Sequence, residues 1–194
     1  KRDLQQEYSI DASKISVVHL AVNKDRNVRE RSLNIRPFIL YVGLRQRYKN
    51  FINVIKAYGR SNKLKLNFDF VCFGGGSFSK IEEELFRSLS LDRSSIHYFE
   101  GDRLDLNYFY QKARIFIFPS LYEGFGIPLL EAMNMKCPVM CSDTSCFPEI
   151  VNDAAILFDP TDIDSLEFKM EKLIYDDQLL LNLKKKGSDN LNNY

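Results

Sequence analysis

The sequence predicts an α/β protein whose core is a doubly wound parallel sheet. Three observations carry that expectation. From residue 37 onward, apolar segments of strand length alternate with segments whose apolar residues recur at helical spacing, and six such strands can be counted. The strand segments are apolar almost throughout, as strands covered on both faces are. Glycines directly follow several of them, where a chain must turn tightly and can leave room for a ligand.

In chain order, FILYVG (38–43) reads as the first strand, and KNFINVIKAYGR (49–60) as a helix with Phe51, Val54, Ile55 and Tyr58 on one face. NFDFVCFG (67–74) is the second strand, and SKIEEELFRSLSL (79–91) a helix with Ile81, Leu85 and Leu89 at helical spacing. SIHYFE (95–100) is a strand and LDLNYFYQKA (104–113) a helix. ARIFIF (113–118) is the fourth strand, and Pro119 stops its ladder. A helix starts near Ile127, because Pro128 suits a first helical position, and runs to about 135. Strand PVMCS (138–142), a short helix at PEIV (148–151), strand AAILFD (154–159) and helix IDSLEFKMEKLIYDD (163–177) complete the series, while DNLNNY (189–194) reads as a frayed end.

Residues 1–36 stand outside this alternation. KRDLQQEY suggests a helix and ISVVHLAV (15–22) a strand, followed by a charged connector. They are read as the tail of a preceding domain plus a linker, and 37–194 as a Rossmann-like domain.

A formal net charge of +1 argues against nucleic acid as the main partner. The basic runs RNVRER (26–31) and KKK (184–186) are read as solvated faces, with anionic membrane lipid as the alternative. Cys72, Cys137, Cys141 and Cys146 fall in or beside apolar strands, match no zinc spacing, and lie far in sequence from His19 and His97. No signal-peptide pattern precedes them and no run of 18 apolar residues occurs, so a reducing cytoplasm is the expected compartment.

In doubly wound sheets ligands bind outside the carboxyl ends of the strands, which directs attention to three loops. GLRQRYKN (43–50) brings Arg45, Arg47 and Lys49 to a helix start, where an anion finds both cations and free amides; a solvated basic turn is the competing reading. CFGGGSFSK (72–80) carries three glycines but neither the dinucleotide fingerprint nor a Walker loop, so a phosphate cradle and a bare turn stay equally open. PSLYEGFGIPLLEAM (119–133) sets Glu123 in a glycine-flanked loop and Glu131 in the first turn of the next helix, about 5 Å along the axis from Pro128. Carboxylates accept hydrogen bonds from hydroxyls, so one could hold a sugar and the other a ribose while the helix start takes phosphate. The alternative is that Glu131 only complements the helix dipole and Glu123 is solvated.

The segment FPSLYEGFGIPLLEAM, in which Glu123 and Glu131 frame seven residues, resembles the E-x7-E signature of the family-four retaining glycosyltransferases, the group 1 family of the GT-B fold. YVGLRQRYKNF is similar to that family's phosphate loop, VCFGGGSFSKIEEE to its second strand and turn, and CPVMCSDTSCFPEIVNDAAILFDPTD to its last conserved block. The resemblance runs from about residue 38 to 175 and identifies this chain as the carboxy-terminal, donor-binding half of such a fold. It implies that Glu123 holds hydroxyls of the transferred sugar, that Gly124, Phe125, Gly126 and Ile127 line sugar and diphosphate, and that Glu131 binds the ribose. It further implies that Arg45 and Lys49 neutralise the diphosphate, that Gly43, Gly74 and Gly75 line the donor, and that Tyr98, Phe99, Glu100 and Gly101 touch the base. Many members place an arginine directly after the loop glycine, where this chain has Leu44; a branch carries it one position later, as Arg45 does here.

What the resemblance implies chemically is transfer of a hexose from a nucleotide-diphosphate sugar to a glycan or lipid-linked acceptor with retention. Neither metal nor cofactor is expected, because fixed cations and helix-start amides would stabilise the departing diphosphate. The D-x-D at Asp162 to Asp164 is read as acids favouring a helix start. The YKNF and GGGSFSK segments look most like bacterial members that build surface polysaccharide, with a lean to GDP-mannose and to peripheral work at the inner face of the plasma membrane. Two other readings stand beside this one: a nucleotide-sugar-binding domain inactive by itself, and a dinucleotide-dependent oxidoreductase, against which the missing fingerprint argues.

Overall fold

The computed structural model describes residues 2–18 and 20–194. Six parallel strands form one sheet: β1 (Phe38–Val42), β2 (Asp69–Phe73), β3 (Ile96–Phe99), β4 (Ile115–Phe118), β5 (Val139–Ser142) and β6 (Ala155–Phe158), in the order β3-β2-β1-β4-β5-β6. The order reverses at β1, which pairs with β2 on one side and β4 on the other, Leu40 facing both Val71 and Phe116. A crevice opens at such a reversal, because the connections leaving β1 and β4 run to opposite faces of the sheet.

The helices are α1 (Arg2–Tyr8), α2 (Phe51–Arg60), α3 (Asn62–Asn67), α4 (Lys80–Ser88), α5 (Arg103–Lys112), α6 (Ile127–Asn134), α7 (Phe147–Val151), α8 (Ile163–Ile174) and α9 (Asp177–Asn190). Alternate strand residues supply two cores. Leu40, Val71, Phe116 and Val139 pack with α5, α6 and α7, whereas Ile39, Phe70, Ile117 and Met140 pack with α2 and α8. Both faces are covered, which is why the strands read as unbroken apolar runs.

The departures from expectation are local. Ile81 is exposed, and Phe86 takes the buried place on α4, with Leu85 and Leu89 only half-buried beside it. The helix expected to run to residue 177 ends at Ile174, and a further helix not expected from the sequence, α9, follows it, capped by Asp176, which accepts from the Leu179 amide at 2.8 Å. The 189–194 end is not frayed, because Leu191 is buried and Asn190 donates to the Ile150 carbonyl at 2.8 Å. Described residues 15–18 and 20–22 form neither strand nor helix, and Val17 and Val18 are exposed; His19 lies outside the described residues.

Val22, the last residue of the expected strand, and residues 23–36, expected as a connector, lie as a strap along α5 and α6. Val22 is buried, Asn107 donates to the Asn27 carbonyl, the Arg29 amide bonds the Leu104 carbonyl, and Tyr108 donates to the Arg31 carbonyl. Arg29 and Arg31 both pair with the buried Asp105, so the RNVRER run, with Arg26, Asn27, Arg29 and Glu30 exposed as expected, also ties the strap to the domain. At its end Arg36 pairs with buried Asp69 at 2.6 Å. The D-x-D acids fall where the helix-start reading puts them: Asp162 caps α8 by accepting from the Ser165 amide, and Asp164 pairs with Arg60.

Candidate functional site

Two loops meet at the reversal point. The loop after β1 coils into a 3-10 turn, Arg47–Lys49, and the Tyr48 carbonyl accepts from the Leu121 amide at 2.8 Å, tying it to the loop after β4. That tie brings together two residues 74 positions apart: the Lys49 ammonium bonds the Glu123 carboxylate. Their side chains are only 16% and 19% exposed, and Lys49 lies 5.6 Å from the Phe118 ring centroid. At this burial neither charge is well hydrated, so each depends on the other.

Behind Glu123 the chain turns at Gly126, whose φ of +103° favours glycine and whose added Cβ would stand 3.1 Å from Leu129 and 3.3 Å from Phe147. This residue caps α6 without a side chain; Pro128 has no amide hydrogen and the Leu129 amide bonds the Gly126 carbonyl at 3.0 Å, so the Ile127 amide and the helix dipole are what the start of α6 offers an anion. Glu131 follows on α6, half-buried, with the Tyr110 hydroxyl 3.5 Å away and Arg103 contributing a weaker favourable field. Burial outweighs both and holds its carboxyl above the usual carboxylate range.

Arg45 is placed differently from the expectation. Instead of facing the Lys49 side of the crevice, its guanidinium enters the triple-glycine turn, donating to the carbonyls of Gly74 (3.0 Å), Gly76 (2.7 Å) and Ser77 (3.0 Å) and pairing with Glu82. It also lies over the Phe78 ring at 4.8 Å and is 4% exposed. Four of its five N–H groups are thereby spent on protein, which leaves little for a diphosphate. Gly75 is there for a close approach: a Cβ on it would fall 2.6 Å from the Gly43 carbonyl oxygen. The Gly43 amide bonds the Phe73 carbonyl and the Gly74 amide the Phe99 carbonyl, both at 2.9 Å, so the turns after β1, β2 and β3 form one continuous edge.

At the end of β3, the Tyr98 hydroxyl donates to the Glu100 carboxylate, which raises the phenol's pKa. Asp105 packs so close to Gly101 that a Cβ there would fall 2.3 Å from its carboxylate. Sequence reasoning missed Glu82, which fixes Arg45, and the residues 144–146 that hold the Glu123 loop from behind. The only signal for the first was the S-x-x-E pattern of a capping box, formed here between Ser79 and Glu82. Among the described residues no cluster of three or more metal-ligating side chains occurs, and no helix is long and apolar enough to cross a membrane.

Residues 24–190 match the family described as Glycosyl transferases group 1. The chain is 29% identical over 176 residues to the O-antigen chain mannosyltransferase RfbU of Salmonella typhimurium, across 89% of this chain and 48% of that protein. It is 47% identical over 73 residues to the O-antigen chain mannosyltransferase B of Escherichia coli, across 38% of this chain and 19% of that one. Among solved structures it superposes on WaaG, a glycosyltransferase involved in lipopolysaccharide biosynthesis, with a TM-score of 0.79 at 20% identity, over 100% of this chain and 56% of that one. On the C-terminal domain of a group 1 glycosyltransferase (LpcC) from Francisella tularensis the TM-score is 0.70 at 27% identity, over 81% and 85%. The chain therefore spans about half the length, or less, of the curated relatives it matches. With that match and a reversed parallel sheet of this order, the chain belongs to the group 1 glycosyltransferases and has the Rossmann-like carboxy-terminal half of their GT-B fold.

Proposed function

We propose that this chain binds the nucleotide-diphosphate sugar of a retaining hexosyltransferase, with a mannosyl donor the preferred reading, and serves surface polysaccharide synthesis. The observation that carries it is the Lys49–Glu123 pair at the β1/β4 reversal, beside the start of α6 and its free Ile127 amide. The mannosyl reading rests on relatives named as O-antigen mannosyltransferases. The acceptor, a glycan or lipid-linked sugar, would be met outside the residues present here, at the cytoplasmic face of the membrane.

In this reading the diphosphate lies between Lys49 and the start of α6, Glu123 accepts from hydroxyls of the sugar, and Glu131 from the ribose. The glycosidic bond to the leaving diphosphate breaks through an oxocarbenium-like state, and negative charge grows on the phosphate oxygens. A fixed ammonium and fixed helix-start dipoles stabilise that charge without reorganising. Lys49, the Ile127 amide and the α6 dipole supply the positive charge, so the proposal includes no metal step. Arg45 acts at one remove, by shaping the glycine turn that borders the donor.

Calorimetry with GDP, UDP, ADP, NAD and the corresponding nucleotide hexoses tests this. The expected result is binding of one nucleoside diphosphate and its sugar, GDP-mannose foremost. Binding of NAD alone would sink the transferase reading and favour the oxidoreductase alternative.

A further inference from the structure

We infer that Thr144, Ser145 and Cys146, the three residues leading into α7, are positioning residues that latch the donor loop; this rests on the transferase reading above. Three consecutive side chains reach alternate residues of that loop. Thr144 Oγ1 donates to the Leu121 carbonyl at 3.2 Å, Ser145 Oγ donates to the Glu123 carbonyl at 2.8 Å, and Cys146 Sγ donates to the Phe125 carbonyl at 3.0 Å. Ser145 Oγ also accepts from the Glu123 amide at 3.4 Å, so both backbone groups of Glu123 are held by one hydroxyl.

These contacts substitute for secondary structure. Residues 119–126 belong to no helix or strand and contain two glycines, so their backbone is otherwise free to sample many conformations. With the carbonyls of Leu121, Glu123 and Phe125 all drawn toward the β5–α7 side, the Glu123 side chain is left facing Lys49. Ser145 is held at a φ of +57°, a conformation that a serine adopts only at a cost. The hydroxyl contacts to Glu123 supply a reason for tolerating it. Burial keeps the Cys146 thiol protonated and therefore a donor.

Ser145→Gly separates the latch from the fold, because glycine accepts the left-handed backbone and only the hydroxyl disappears. The protein carrying this chain at full length is titrated with GDP-mannose, or with whichever nucleotide hexose the wild type binds, and its melting temperature is followed. Loss of one or two hydrogen bonds predicts donor affinity weakened about tenfold, with the melting temperature unmoved. Cys146→Ala should also weaken binding, and Cys146→Ser, which keeps a donor, should recover most of that loss. As an independent readout, Cys146 is half-buried while Cys72, Cys137 and Cys141 are buried; of these four thiols Cys146 should alkylate first in the native protein, as mapped by peptide mass, and bound donor should slow it. Donor affinity unchanged in both Ser145→Gly and Cys146→Ala, or alkylation indifferent to saturating donor, overturns the latch. A wild type that binds no nucleotide sugar overturns the transferase reading instead, and the latch as a donor device falls with it.

Discussion

The Lys49–Glu123 pair supports a prediction in which two substitutions have opposite signs. In the structure the ammonium that should meet the diphosphate is bonded to the carboxylate that should meet the sugar. Replacing Lys49 with alanine removes one charge-assisted bond to phosphate, about 1.5–3 kcal/mol. That corresponds to roughly a 10- to 150-fold weaker affinity for the bare nucleoside diphosphate. Replacing Glu123 with glutamine does the reverse for the same ligand, because Lys49 no longer has to be withdrawn from a partner. A pair exposed by less than a fifth lies between surface pairs, worth up to about 1 kcal/mol, and buried ones, worth more. Taking about 1 kcal/mol as recovered, Glu123→Gln should bind the nucleoside diphosphate about fivefold more tightly.

The nucleotide sugar should respond otherwise. Glu123→Gln loses charge-assisted bonds to sugar hydroxyls, again about 1.5–3 kcal/mol, which outweighs what freeing Lys49 recovers. The ratio of the two dissociation constants should therefore shift strongly against the sugar in Glu123→Gln and little in Lys49→Ala. Isothermal calorimetry with GDP and GDP-mannose, each on both variants, measures the four numbers. If Glu123→Gln weakens both ligands equally, or Lys49→Ala leaves GDP binding unaltered, the division of roles is wrong.

Other predictions concern stability. Burial raises the Glu131 carboxyl above its unfolded value, so ionised Glu131 costs folding free energy at neutral pH, and that cost disappears as pH falls below the unfolded carboxylate pKa. Glu131→Gln should accordingly raise the melting temperature at pH 7, lose the gain near pH 4 and weaken nucleotide binding; a variant less stable at pH 7 contradicts this. Arg45→Ala strips three carbonyls and leaves Glu82, 13% exposed on its side chain, without its cation. Chemical denaturation should register a loss of about 3–5 kcal/mol, and Arg45→Lys should not restore it, since an ammonium cannot reproduce the planar fork. Gly75→Ala meets the Gly43 carbonyl at 2.6 Å and a φ of +81° together, so its unfolding midpoint should fall clearly, whereas Gly76→Ala, with open space around its Cβ, should fall less.

Much of the fold was legible because strands covered on both faces must be largely apolar: β1 and β4 are so throughout, and β2 and β5 depart from it only at their end residues, Asp69 and Ser142. The same logic identifies why α3 and α9 were missed. Leu64 is the one buried residue of α3, and α9 buries Leu180, Leu183, Gly187 and Asn190 among lysines and asparagines, too sparse an apolar stripe to announce a helix. The strap of 22–36 has no periodicity at all, because side chains of α5 and α6 bond its backbone carbonyls, and such contacts leave no pattern in the strap's own sequence. At the site, the residue types were legible and their aim was not. Lys49 and Arg45 stand four positions apart in one loop, yet one faces Glu123 and the other Glu82, a choice set by which loops the strand order brings alongside.

That arrangement accounts for two glutamates flanking one glycine turn. Glu123 is ion-paired with Lys49, whereas Glu131, with only a distant tyrosine hydroxyl and a weak field from Arg103, has no ion-pair partner among the described residues. In the proposed complex the incoming diphosphate competes for Lys49 and thereby releases Glu123 as a hydrogen-bond acceptor beside the sugar. The released carboxylate is four-fifths buried, so leaving it unmatched is costly. A nucleoside diphosphate without its hexose creates that unmatched acceptor, and the hexose hydroxyls satisfy it. Recognition of the two halves of the donor is then coupled through a single ion pair, which favours the intact nucleotide sugar over the nucleoside diphosphate left after transfer.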